Sequence, residues 1–275
     1  MGKRRPRPWI RISGTIKINA QPSGQEEMAM NDLNIVHGVI VRPEGCFQGN
    51  IEIRGGKIIR VCPVREPVNP ARDTVDACGL LVFPGLIDSH VHIRGGRFSY
   101  REDFASGTMA AAGGVTTIVE MPVALPPASR KEDFVARVQE AAPQVYVDYA
   151  MYGGAGSDNL EEIPCLAKAG AMAYKTFLMP PVPGREKEFY GLCSETEEAL
   201  ARVMEKVAET GRLLAVHSEL NQYVQAQTEK EMKSGHNGLK AFCRSRPVEA
   251  ETEAVSNNRC AENRLQGVCL PRKHA

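Results

Sequence analysis

The chain has 275 residues, 43% of them hydrophobic and 24% charged, with a formal net charge of +1. That composition is the one expected of a globular, soluble protein, and the near-neutral charge gives no electrostatic case for nucleic acid or an anionic membrane as partner. The basic opening MGKRRPRPWIRI has no apolar stretch behind it, and no run reaches the roughly 18 apolar residues of a membrane span, so a cytoplasmic location is expected.

Residues 1–32 read as a disordered extension, basic and then rich in Gln, Ser, Gly and Glu, with Met28 and Met30 as alternative starts. Residues 33–82 read as a small β-rich segment. LNIVHGVIV and IEIRGGKIIRV are short β-branched runs, with Gly55-Gly56 as a tight turn inside the second, and TVDACGLLVFPG adds one or two strands. From residue 83 to 256 strands and helices alternate. PGLIDSHVHI, VTTIVEMP, QVYVDYAMYGG, AMAYKTFL and RLLAVHSE read as strands. REDFASGTMAAAGG, RKEDFVARVQEAA, DNLEEIPCLAKAG and SETEEALARVMEKVAETG read as helices, the third despite Pro164. Ser194 is the predicted cap of the last, with Glu197 completing a capping box and Gly211 closing it. About five βα units argue for a parallel sheet, and a doubly wound sheet or a TIM barrel both fit. The text from 257 to 275 is atypical, with two cysteines and no helical period. The eight cysteines include no C-x-x-C pair and read as reduced thiols.

Chemistry concentrates at strand ends. In PGLIDSHVHIR, strand alternation places Asp88, His90 and His92 on one face. Two imidazoles at i and i+2 can share a metal ion, or they are a pair of polar residues at a strand end. Lys175 stands among apolar neighbours in AMAYKTFL, where a buried ammonium needs a reason. It is a salt-bridged or snorkelling lysine, or a lysine carboxylated by carbon dioxide whose carbamate can bridge cations. His217 ends RLLAVH, with Glu219 on its face. His37 and His236 lie outside this set and read as surface or turn residues.

PGLIDSHVHIR, the lysine of AMAYKTFL and the histidine of AVHSE occur in that order. So do EDFASGTMAAAGGVTTIVEMP, LPPAS and SRPVEAE, in which Arg246-Pro247 opens a helix. From about residue 33 to 256 the chain resembles the amidohydrolase superfamily, and within it the cyclic amidases: dihydroorotase, allantoinase, hydantoinase and dihydropyrimidinase. The resemblance implies a TIM-like (β/α)8 barrel, incomplete here, with a small N-terminal β-sandwich segment. It implies two divalent metal ions, zinc being the expected one. His90, His92 and His217 would be metal ligands, with Lys175 a bridging carbamate and Asp88 and Glu219 supporting them. It further implies hydrolysis of a cyclic amide by activated hydroxide. Arg94 and Tyr152 would contact substrate, Arg94 by analogy with a carboxylate-binding arginine. Homo-oligomers are usual in the family.

Two pieces that the resemblance implies beyond the fifth strand, a histidine and an aspartate, have no counterpart here. The chain therefore reads as truncated, and on its own it is expected to be impaired. Val123 stands where dihydroorotase has an asparagine, which weakens dihydroorotate and favours an allantoinase- or hydantoinase-like ureide substrate. The rival expectation is a non-catalytic scaffold or assembly subunit.

Overall fold

The computed structural model describes residues 30–255. The expected extension and the 257–275 tail fall outside them, except that Asn31 and Asp32 already belong to the first strand. The described residues divide into two compact units between Gly85 and Leu86.

In the first unit, β1 (Asn31–Arg42), β2 (Gly45–Arg54), β3 (Lys57–Pro63) and β4 (Ala71–Asp76) form a sheet of order β3-β2-β1-β4, and β5 (Leu81–Val82) also pairs with β1. β1, β2 and β3 are antiparallel neighbours, whereas β4 and β5 run parallel to β1. The β2–β3 turn is Gly55-Gly56, as expected. Both glycines have positive φ, 60° and 72°, which a two-residue turn of this hand demands. Asp32 Oδ2 accepts from the Gly55 N–H at 2.6 Å and fixes the turn. Glu52 is fully buried and fully engaged. It accepts from Asn31 Nδ2 at 2.7 Å, Asn69 Nδ2 at 2.8 Å and Arg60 Nη1 at 2.9 Å, so the buried charge is compensated.

The second unit carries the alternation. Its strands are β6 (Leu86–Val91), β7 (Val115–Glu120), β8 (Asp148–Gly154), β9 (Ala173–Phe177) and β10 (Leu213–His217). All pairs are parallel and the order follows the chain, β10-β9-β8-β7-β6. Between and after them lie α1 (Phe104–Ala111), α2 (Lys131–Ala141), α3 (Glu162–Ala169), the short α4 (Glu186–Phe189), α5 (Glu197–Glu209), α6 (Asn221–Lys233) and α7 (Gly238–Arg244). Residues 248–255 begin a further helix just after Pro247, as the sequence predicts. Pro164 is accommodated because it sits in the first turn of α3, where its missing N–H costs nothing. The cap of α5 is corrected. Thr196 Oγ1, not Ser194, accepts from the Ala199 N–H at 3.2 Å, and the Ser194 hydroxyl instead meets Thr176 Oγ1 at 2.9 Å in the interior.

Two apolar clusters show which face of the sheet is which. The larger joins Ile118, Met151, Tyr174, Leu214 and Val216 of the strands to Phe104, Phe134, Leu166, Leu200 and Val203 of the helices. The smaller holds Val119, Met121, Ala150, Tyr152, Ala173 and Ala215, none of them on a helix. Strand alternation separates the two sets, so one face is covered by helices and the other is the inner face of a curled sheet. This is the topology of the first five strands of a (β/α)8 barrel. Leu86 and Ile87 on edge strand β6 are 61% and 67% exposed. No helix among the described residues is long and apolar enough to cross a membrane.

Candidate metal centre

His90 lies on β6 and His92 directly follows it. Their ring centroids are 5.4 Å apart with planes tilted by 55°. A metal–nitrogen bond of about 2.1 Å puts an imidazole centroid roughly 3.2 Å from the ion, and a tetrahedral angle then separates two centroids by about 5.2 Å. The pair therefore fits one shared cation. The local backbone is not a regular strand. Between Asp88 and Val91 the pairing with β7 gains an extra residue on β6, a bulge that interrupts the strict alternation read from sequence. Asp88 Oδ1 accepts from the His90 backbone N–H at 3.1 Å and so acts on the main chain of this bulge.

Lys175, Tyr152 and His217 share the inner face. Lys175 and His217 stand two residues beyond Ala173 and Ala215, which pack with Tyr152 there. Lys175 is 4% exposed, with Gly154 and Ala215 as its strand neighbours. Its Nζ lies 5.0 Å from the centroid of the Phe177 ring, and that ring lies 5.3 Å from the ring of His217. His217 Nε2 is 3.3 Å from Glu219 Oε2, and Arg246 Nε approaches the other Glu219 oxygen at 4.0 Å. Burial pushes the Tyr152 phenol up from its ordinary value, so it is a neutral hydroxyl near pH 7.

Arg94 is half-buried, and its Nη1 donates to the Val123 carbonyl at 3.4 Å. Burial holds its guanidinium below the usual range, and the like charge of Arg185 acts in the same direction. Among the described residues no carboxylate lies within ion-pair distance of it.

Sequence reasoning missed Glu120 and Arg137. They are 1% and 6% exposed and joined at 2.7 Å, directly beneath the chain that follows His92. The available signal was a glutamate closing the β-branched strand VTTIVE, directly after the apolar Ile118 and Val119. Phe177, which contacts both Lys175 and His217, was also not singled out. The structure thus brings His90 to His92, and gathers Lys175, Phe177 and His217. Among the described residues no group of three or more His, Cys, Asp or Glu side chains lies at metal-holding distance.

Comparison with known proteins identifies the family. A family model described as "Amidohydrolase family" matches residues 81–250. The L-hydantoinase of Paenarthrobacter aurescens is 32% identical over 233 residues, 82% of this chain and 48% of that protein. The allantoinase of Deinococcus radiodurans is 31% identical over 82% of this chain and 49% of its own. Among solved structures, the L-hydantoinase (dihydropyrimidinase) from Arthrobacter aurescens superposes with a TM-score of 0.78 at 29% identity, covering 87% of this chain and 52% of that one. A D-hydantoinase gives 0.72 at 27% identity. The chain spans about half the length of the curated relatives it matches. With more than half of its residues matched by the family model, the strand order of half a barrel and a His-x-His pair at a strand end, the chain belongs to the amidohydrolase family.

Proposed function

We propose that this chain carries part of the metal centre of a metal-dependent hydrolase that opens cyclic amides at the C–N bond. The observation that carries the reading is the His90–His92 ring pair, at a separation suited to one cation, at the end of β6 and within the residues that the family model matches. His90 and His92 would hold one metal ion through neutral imidazole nitrogens, with Asp88 supporting their backbone. Lys175 as carbamate would bridge to a second ion, and His217, steadied by Glu219, would hold that ion. The carbamate would give the lysine an anionic, ligating form that its ammonium lacks. Once bound, the metal pair would supply the Lewis acidity that makes hydroxide available near neutral pH. Tyr152, neutral and on the same sheet face, would donate toward an oxyanion developing at the amide carbon. Arg94 would orient the ring through its polar substituents.

The relatives named hydantoinase and allantoinase favour a cyclic ureide substrate. Val123 at the place of an amide donor argues the same way, because Arg94 reaches a backbone carbonyl there instead of a partner side chain. Zinc is the expected metal. We take the intact enzyme to be a cytoplasmic homo-oligomer that binds neither nucleic acid nor membrane.

Metal analysis of the purified chain, followed by ring-opening assays on hydantoin, allantoin and dihydroorotate, tests the reading. We expect bound zinc that His90→Asn and His92→Asn release, with ureides preferred and turnover low in the 275-residue chain. No stoichiometric metal would favour the scaffold alternative and overturn the proposal.

A further inference from the structure

β6 ends at Val91, and from His92 the backbone leaves the sheet. Its polar groups must then find partners other than a neighbouring strand. The Met121 N–H closes the sheet by donating to Val91 O at 2.8 Å. The Ile93 N–H donates to Glu120 Oε2 at 2.7 Å. Arg137 Nη2 donates to the carbonyls of both Ile93 and Arg94, the latter at 3.0 Å, and to Glu120 Oε1 at 2.7 Å. The Gly95 N–H reaches Glu102 O at 3.0 Å, and the Gly96 N–H reaches Glu140 Oε1 at 2.8 Å. Glu140 is itself drawn to Arg137 Nη1 at 3.7 Å. One buried guanidinium, stacked 5.0 Å over Phe104, thus holds the carbonyls of Ile93 and Arg94 directly and, through Glu120 and Glu140, the N–H groups of Ile93 and Gly96.

Stability is a weak reason for such a pair. Replacing a buried ion pair with well-packed apolar residues is often neutral or stabilising, because two charges need not be desolvated. Apolar residues cannot, however, hold a backbone N–H and two carbonyls in one geometry. The residues so held adjoin His92 on one side and include Arg94 on the other.

We propose that Glu120 and Arg137 are positioning residues for the candidate metal centre. By fixing the main chain from Ile93 to Gly96, they set the direction in which His92 and Arg94 leave β6. The inference rests on the reading that His90 and His92 hold a cation. Arg137 works here through its fork of donors, so its charge alone does not suffice.

The test uses the full 275-residue chain in three variants: Glu120→Leu with Arg137→Met, Arg137→Lys, and the isosteric Glu120→Gln. Amide exchange is read residue by residue in the metal-free protein, and cobalt(II) binding is read by visible absorption. In the apolar double variant we expect Ile93 and Gly96 to exchange at least about tenfold faster, while amides of β8 and β9 keep their rates. Cobalt affinity should fall about 10- to 100-fold, the range seen when groups supporting a metal ligand are removed. Arg137→Lys should not rescue the affinity. If the double variant does not fold, Glu120→Gln carries the same comparisons. Unchanged exchange at Ile93 and Gly96, or unchanged cobalt affinity despite a loosened loop, overturns the proposal. If the parent chain binds no cobalt, the metal reading itself fails, and with it any positioning role toward a metal.

Discussion

The Lys175 ammonium nitrogen lies 5.0 Å from the centre of the Phe177 ring, two residues along the same face of β9. The ring of Phe177 is also 5.3 Å from His217 and 5.2 Å from Phe189, so it forms an apolar floor between the lysine and the histidine. An aromatic face attracts a cation through its ring quadrupole. Under the proposed reading, carbon dioxide converts this lysine to a carbamate that would ligate metal, which the ammonium cannot do. Added bicarbonate should therefore tighten zinc binding to the chain, measured by competition with a chromophoric chelator. Lys175→Gln should abolish the bicarbonate effect while leaving the melting temperature within a few degrees. Bicarbonate dependence that persists in Lys175→Gln would exclude a carbamate at this position.

Glu120 has a further consequence for stability against pH. Burial pushes its carboxyl up to about 7, against the opposing pull of the Arg137 guanidinium and the Ile93 N–H. A carboxyl whose folded pKa lies above its unfolded value binds more protons in the folded state between those two values. Its stabilising effect is complete below about pH 4.5 and is lost as pH rises toward 7. Urea unfolding of the parent and of Glu120→Gln at pH 5 and pH 8 should show the parent losing ground to the variant at the higher pH. The expected difference is at most on the order of a few kcal/mol. Carboxylates held low by their partners, such as Glu52, are common to both proteins and cancel in the comparison. A parent–variant difference that does not move with pH would mean that Arg137 keeps Glu120 ionised throughout.

The cap of α5 gives a local check. Thr196 Oγ1 satisfies the Ala199 N–H, whereas Ser194 is buried and bonded to Thr176. Thr196→Ala should lower stability by about 1 kcal/mol, as loss of a helix cap does. Its effect should be seen as increased fraying of the first turn of α5 in hydrogen exchange. Ser194→Ala should leave that turn protected and act instead on the β9 end. The reverse pattern would restore the sequence-based assignment of the cap.

That exchange of caps illustrates what could and could not be read in advance. Ser194 and Thr196 both precede an acidic, amphipathic run, and a one-dimensional pattern does not say which hydroxyl is claimed by the interior. The five parallel strands were readable because apolar periodicity and glycine punctuation repeat from unit to unit. His90, His92 and His217 were readable as anomalies at the ends of apolar strands, and Lys175 as a cation inside one. The Asp88–Val91 bulge was not, because an extra residue leaves no trace in composition. Nor was the partnership of Glu120 with Arg137. Seventeen residues separate them, and only the packing of α2 against the end of β7 brings them to 2.7 Å. Arg137 in particular looks like any solvent-facing arginine of RKEDFVARVQEAA until the fold buries it.

Gly95 tests how tightly the loop after His92 is built. Its backbone has φ 50° and ψ −170°, a region that costs a residue with a Cβ about 1–3 kcal/mol. A Cβ there would also stand 3.1 Å from Glu140 Oε1 and 3.3 Å from the Phe104 ring, pressing on the carboxylate that holds the Gly96 N–H. Gly184 is the control, since its φ is +78° but nothing lies within 4 Å of its Cβ position. Gly184→Ala should therefore show backbone strain alone, about 1 kcal/mol by urea unfolding. Gly95→Ala should cost more, about 2–3 kcal/mol, and should raise exchange at Gly96 beyond the global change. Equal losses at the two sites would mean that the Glu140 and Phe104 contacts give way freely. The loop would then be less firmly held than its hydrogen bonds require.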